Sequence, residues 1–205
     1  MGLYGRYLCP HLTEWALSAP WTRDGRQRLL SEVSGRILEV GFGTGLNLAH
    51  YPASVRELDV LDPEAGMHAK AARRVRDSPI QVRTHRLAAE TLPFEDGTFE
   101  SVVCTFTLCT VADPEAAAAE MRRVLAPGGD LYVFEHVASQ RPGVRRWQDR
   151  LNPVQQRLGC GCNLNRDTAR TLAEAGFDTS SLERIEEPTV PVLFREHLWG
   201  RAPVR

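Results

Sequence analysis

Three glycines on alternate positions, Gly41, Gly43 and Gly45, stand in the stretch ILEVGFGTGLNLAHY (37–51) between a short apolar run and a helical pattern. A backbone bare of side chains there can bring its N–H groups against a polar or anionic group, and the N-terminus of the following helix adds partial positive charge. Asp62 ends the next apolar run, ELDVLD (57–62). It lies about 20 residues beyond the first glycine, the spacing at which a carboxylate accepts from a ribose diol. Glycines and carboxylate together predict a nucleoside ligand; glycines alone serve tight turns and close packing as readily. The spacing also discriminates among nucleosides. A dinucleotide fingerprint needs its third glycine where this chain has Leu46, and the sequence reads E-x-G-x-G-x-G from Glu39, which disfavours NAD and FAD.

Other residues suited to chemistry are scattered along the chain. His136 closes the run DLYVFEHV on the rim that carries the glycine loop, which makes it a candidate base; a histidine hydrogen-bonded at a strand end is the plainer account. Glu135, alternating to the other side, is placed to hold a loop. Tyr7 and His11, at i and i+4 of a predicted N-terminal helix, would face one way from a lid over the pocket, with packing or exposure the plainer reading. Cys160 and Cys162 form a C-x-C pair, too closely spaced for structural zinc and without a second pair, so no metal is expected. Plain loop cysteines, or a reactive thiol beside the pocket, remain for these two. Cys104 and Cys109 read as small apolar residues of a buried strand.

The elements that must position these residues alternate strand and helix, which predicts an α/β domain on a mostly parallel sheet. Strands are expected at RILEV, ELDVLD, IQVRTHRLA, FESVVCTFTLCTV and DLYVFEHV, with a short helix after the glycines and further helices at 63–78 and 114–125. A polar helix near 143–158, anchored on the core by Trp147, precedes a helix from about Asn165 to Ala175. Two weaker strands near 180–186 and 190–198 then close the sheet edge as an antiparallel hairpin. The 205 residues suffice for one well-filled core, so a single domain 1–205 is expected, with 1–30 as a helical lid and 138–178 as substrate-side helices and loop. The net charge of -1, with Lys70 the only lysine, gives no reason to expect nucleic acid as a partner. No run is long enough for a membrane span. The start lacks a secretory leader's apolar core, and the odd number of cysteines then points to a reducing cytoplasm and free thiols.

EVGFGTG, LDP, AAETLPFEDGTFESVV and RVLAPGGDLYVFEH, in that order over about residues 35–137, resemble the class I S-adenosylmethionine-dependent methyltransferases. YGRYLCPHL, EHVAS and GCNLNRDT extend the pattern toward the methyltransferase-like seven thiol methyltransferases. The resemblance implies a Rossmann-like, doubly wound, three-layer αβα fold whose seventh strand is antiparallel, with S-adenosyl-L-methionine as cofactor and a small molecule as acceptor. It implies that the three glycines admit the methionine part and that Glu39 orients the loop or its water. It further implies that Asp62 takes the ribose hydroxyls, Pro63 begins the adenine wall, and Thr105, Phe106 and Thr107 face the sulfonium and the acceptor. Ala88 departs from the acidic residue usual there, leaving the adenine edge to the Ala89 backbone or to Glu90. With no carboxylate cluster for magnesium, a thiol or dithiol is the favoured acceptor over an alcohol; methylation of oxygen, nitrogen or carbon on a quinone, lipid headgroup or secondary metabolite is the alternative, and a non-catalytic cofactor sensor the other.

Overall fold

The computed structural model describes residues 8–205, so Tyr7 lies outside the described residues. Its strands are β1 (Ile37–Val40), β2 (Glu57–Leu61), β3 (Gln81–His85), β4 (Phe99–Thr105), β5 (Leu125–His136), β6 (Glu183–Glu186) and β7 (Glu196–Pro203). They form one sheet in the order β3-β2-β1-β4-β5-β7-β6. The first five run parallel, and β7 lies antiparallel to both β5 and β6. This is the expected doubly wound sheet with its reversed last strand.

Side-chain alternation along the strands builds a core on each face. Leu38, Val40, Val102 and Val133 pack with Met121 of α4 (Pro114–Val124) and Leu172 of α6 (Thr168–Glu174). Ile37, Val60, Val103 and Phe134 pack on the other face with Leu29 and Leu30 of α2 (Pro20–Leu30) and Ala71 of α3 (Ala65–Asp77). Each large apolar side chain so buried contributes about 1.5–3 kcal/mol. Asp113 starts α4 by accepting from Ala116 N at 3.0 Å, and the same device at Asp167 starts α6 later than the periodicity suggests.

Four expectations are corrected. The helix after the glycines is only a 3-10 turn, Leu46–Ala49. β4 stops at Thr105, because Phe106 takes φ 53° and turns the chain out of the sheet. Trp147 on α5 (Pro142–Leu158) is 54% exposed and anchors nothing. One residue is about 100° of helix, so it is the next position, Gln148, that turns inward; it accepts from Ser139 N at 2.8 Å and donates to Leu193 O at 2.9 Å. The cysteines are not all free. Cys9 of α1 (Cys9–Leu17) is bonded to Cys160, with Cα atoms 5.7 Å apart, while Cys104, Cys109 and Cys162 are free thiols. Folding juxtaposes positions 151 residues apart, which the odd count does not reveal.

Candidate active site

The carboxyl ends of the parallel strands open into a cleft of about 1670 Å³. One small ligand commonly occupies ~300–1,000 Å³, so this cleft has room for a nucleoside cofactor and a second reactant. Gly41, Gly43, Asp62, Ala89, Thr105 and Thr107 line one part of it, and His11, Trp21, His136 and Cys162 another.

The glycine loop is tied to the end of β2, with Gly41 N and Phe42 N both donating to Leu61 O at 2.8 and 3.0 Å. Gly41 has φ 79°, and a Cβ there would run into the Thr107 side chain. Gly43, at φ 55°, borders open space instead, the nearest atom to an added Cβ being Gly41 O at 4.0 Å. Its N–H donates to Asp62 Oδ2 at 2.8 Å, and Glu64 N donates to Oδ1 at 2.8 Å. An ionised carboxylate only accepts, so this buried Asp62 at the end of β2 is chemically suited to hydroxyl donors. The cradle and the carboxylate fit a ribose and its attached chain. Gly43→Ala is therefore expected to lower cofactor affinity by more than it lowers stability, since the methyl enters the cleft and the left-handed backbone costs only about 1–2 kcal/mol. Calorimetric titration beside a urea melt checks it, and unchanged affinity would show that the loop lies outside the binding surface.

Pro63, Ala88, Ala89 and Glu90 also line the cleft. Glu90 turns its carboxylate onto the amides of Ala112 and Asp113, at 2.9 and 3.2 Å, and so supports the entry to α4. Glu39 and Gly45 stand behind the cleft wall. Gly45, with φ 78°, opens the 3-10 turn. Glu39 is fully buried and accepts from Asn47 Nδ2 at 3.0 Å and Tyr51 OH at 2.7 Å. The same Asn47 amide donates to Thr105 Oγ1 at 3.0 Å, so hydrogen bonds tie the turn to β1 and to the end of β4.

Burial pushes the Glu39 carboxyl up to about 7 against the opposing hydrogen bonds of Tyr51 and Asn47. An acid with a raised folded pKa holds more protons in the folded than in the unfolded chain between its ordinary value and about 7, so its contribution to stability falls as pH rises through that window. His197, lowered to about 4 chiefly by burial and then by His136, acts in the opposite sense from its ordinary value downward. The difference between wild type and Glu39→Gln isolates the carboxyl. Urea midpoints at pH 5 and pH 8 are expected to show the variant gaining on wild type at the higher pH; parallel profiles would mean the carboxyl is solvated.

Beyond β4 the chain turns over a second carboxylate. Glu135, fully buried, accepts from the amides of Thr107, Leu108 and Cys109 at 2.6, 2.9 and 3.2 Å, the loop-holding role its alternation predicted. Burial raises it to about 7, with those three amides lowering it in part. The same loop is fastened from outside by the GCNLNR segment: Asn163 N and Nδ2 donate to Cys109 O at 2.8 and 3.0 Å, and Arg166 donates to Leu108 O and Val111 O. Asn163 and Arg166 escape sequence reasoning because their partners lie some 55 residues away.

His136 reaches the cleft from the end of β5 and is 4% exposed. Its Nε2 donates to Leu193 O at 3.1 Å, which leaves Nδ1 the acceptor nitrogen, and that atom is buried without a hydrogen-bond partner among the described residues. His11 sits at the rim, exposed, and its Nδ1 accepts from Lys70 Nζ at 3.1 Å. Around this end of the cleft, Trp21 of α2 packs edge-on against Phe106 and Phe134, at 6.3 and 5.9 Å between centroids. Trp21 stands out by no motif and only the fold brings it to the strand ends, whereas Cys162, one of the C-x-C pair, does line the cleft.

Residues 38–133 match the family model described as a methyltransferase domain. The chain is 35% identical over 170 residues to thiol S-methyltransferase TMT1A of Homo sapiens, covering 81% of this chain and 69% of that one. With thiol S-methyltransferase TMT1B of Homo sapiens it shares 33% over 179 residues, 84% of this chain and 73% of the other. A demethylmenaquinone methyltransferase of Clavibacter sepedonicus is 34% identical over 62% of this chain and 52% of its own. Among solved structures, a SAM-dependent methyltransferase of Thermotoga maritima superposes with a TM-score of 0.67 at 19% identity, over 98% of each chain. A geranyl diphosphate methyltransferase bound to SAM gives 0.67 at 15%, over 90% of this chain and 85% of that one, a likeness of fold. A glycine cradle, an acid at the second strand end and these relatives converge: the chain is a class I S-adenosylmethionine-dependent methyltransferase, related to the thiol S-methyltransferases.

Proposed function

We propose that this enzyme methylates the sulfur of a small, partly apolar thiol. The observation that carries the reading is the buried Nδ1 of His136, an acceptor nitrogen that meets no hydrogen-bonding group among the described residues, in the cleft that also holds the glycine cradle. An imidazole so placed takes the proton of a thiol, whose ordinary pKa near 8.5 leaves only a few per cent thiolate at neutral pH. The cofactor supplies an activated sulfonium methyl when bound. The chain's own part is to align the acceptor sulfur and exclude water, an orientation effect of about 7–11 kcal/mol.

In this reading Gly41, Gly43, Gly45, Glu39, Asp62, Pro63, Ala89, Glu90 and Thr105 form or support the cofactor half, while Thr107 and His136 belong to the acceptor half. The single domain 1–205 brings His11 over the mouth from the 1–30 lid, and 138–178 frames the far side. The names of the relatives support sulfur as the accepting atom. A quinone carbon or oxygen is the second reading, favoured by the demethylmenaquinone methyltransferase among the relatives. No nucleic acid is expected as substrate. None of the helices among the described residues is long and apolar enough to cross a membrane, and the cytoplasm is the compartment proposed.

Labelled S-adenosylmethionine offered with a panel of thiols, dithiols, phenols, quinols and amines tests the accepting atom. Label on sulfur, with a loss of turnover in His136→Gln that eases as pH approaches the thiol's own pKa, supports the proposal. Label only on oxygen, nitrogen or carbon overturns it, and binding without transfer to any acceptor leaves the sensor reading.

A further inference from the structure

The acceptor end of the cleft carries more sulfur than methyl transfer uses. Cys109 and Cys162, both free, line it together with His136. They are held side by side by backbone, because Asn163, the residue after Cys162, donates both its N–H and its side-chain amide to Cys109 O at 2.8 and 3.0 Å. Cys109 is 2% exposed, so the cleft is its approach to solvent, whereas Cys162 is half-buried. Cys104, the third free thiol, is fully buried and lies off the cleft. From these placements we infer that Cys162 and Cys109 form a dithiol that reduces small disulfides bound at the acceptor end, with His136 Nδ1 as the local proton acceptor.

The chemistry divides the labour between the two sulfurs. The Cys162 thiol is lowered, first by its hydrogen bond with Cys109 and then by His136, with Arg166 adding charge; the Cys109 thiol is correspondingly raised by Cys162 and by burial. The thiolate is the attacking species, and a raised neighbour is a resolving thiol that waits. Cys162 sulfur attacks one sulfur of R–S–S–R, the S–S bond breaks, and one RS⁻ leaves, to be protonated by water. Cys109 then attacks the Cys162 sulfur of the mixed disulfide as its proton passes to His136 Nδ1, and the second RS⁻ is expelled. The substrate disulfide gains two electrons and becomes two thiols; the Cys109–Cys162 pair loses two and becomes a disulfide. One such turnover needs no other reagent, and a small dithiol reductant resets the pair. The exchange stands whether or not thiols prove to be the methyl acceptors, though each cycle would release a thiol at the acceptor position.

The test uses the whole chain with Cys9–Cys160 bonded, without cofactor, and bis(2-hydroxyethyl) disulfide as the probe. Released thiol is counted, and peptides are mapped by mass spectrometry after acid quenching. Wild type is expected to release two thiols per chain and to end with Cys109 linked to Cys162. Cys109→Ser should stop after one, with the hydroxyethyl adduct on Cys162. Cys162→Ser should slow the first release at least about tenfold, since it removes the thiolate that attacks, while its melting midpoint shows that the fold persists. Release unaltered in Cys162→Ser, an adduct on Cys104 or on the Cys9–Cys160 pair, or no release from wild type would each overturn the proposal. Cofactor binding measured on the same samples reports separately on the methyltransferase site.

Discussion

Glu135→Ala is expected to lower the stability of the domain by about 2–4 kcal/mol and to unfasten the loop that lines the acceptor end. The three amides of Thr107, Leu108 and Cys109 point at this one carboxylate inside the protein. A buried donor left unsatisfied costs about 1–3 kcal/mol. Against that stands relief from burying the carboxylate itself, which is why its carboxyl is pushed up to about 7 and why the net falls below the sum of three lost acceptors. Domains of this kind have about 5–15 kcal/mol in total, so the loss is a large share of it. Urea unfolding at pH 8, where the wild-type carboxylate is ionised, is the measurement. Glu135→Gln should fall between the two, keeping one acceptor oxygen but setting an amide against an N–H. A Glu135→Ala variant within about 0.5 kcal/mol of wild type, the range of ordinary surface changes, would show that the loop is held by Asn163 and Arg166 alone.

Asp62→Ala should weaken S-adenosylmethionine binding by about 10–100-fold, equivalent to roughly 1–3 kcal/mol for buried hydrogen bonds to a charged acceptor. Two losses combine: the acceptor proposed for the ribose hydroxyls, and the pair of bonds from Gly43 N and Glu64 N that set the loop at its present distance. Asp62→Asn separates them. It keeps one carbonyl oxygen for a backbone amide but presents its own NH₂ to the other, so it should bind more tightly than Asp62→Ala and less tightly than wild type. Isothermal titration of all three proteins would sink the assigned role if the affinities coincide.

The meeting of the glycine loop with Asp62 was legible because its determinants are local. Gly41, Gly43 and Asp62 are separated only by one strand-turn-strand unit, and a parallel sheet brings consecutive strand ends to one rim whatever the rest of the chain does. Glu135 was legible for a related reason, since alternation along a strand fixes which way a side chain leaves it. The other side of the cleft was legible only in part, at Thr107, His136 and the C-x-C pair. Cys162, Asn163 and Arg166 act on a loop more than 50 residues earlier, and Cys9 meets Cys160 across most of the chain. Trp147 shows a different limit: composition marks it as an anchor, but an apolar residue need not be inside, and the phase of α5 was set by Gln148 and its two backbone partners.

The division of the cleft wall also bears on how such an enzyme can change its trade. One half of the wall is the rim of the parallel sheet, while the other is drawn from α1, the start of α2, the end of α5 with the loop after it, and the turn before β7. These latter segments precede the first strand or follow the last parallel one. Substitutions in them can therefore reshape that side of the cleft without disturbing the register of the parallel strands. The flanks can vary without touching the sheet, whereas Thr107, Cys109 and His136 are bound to the strand ends themselves.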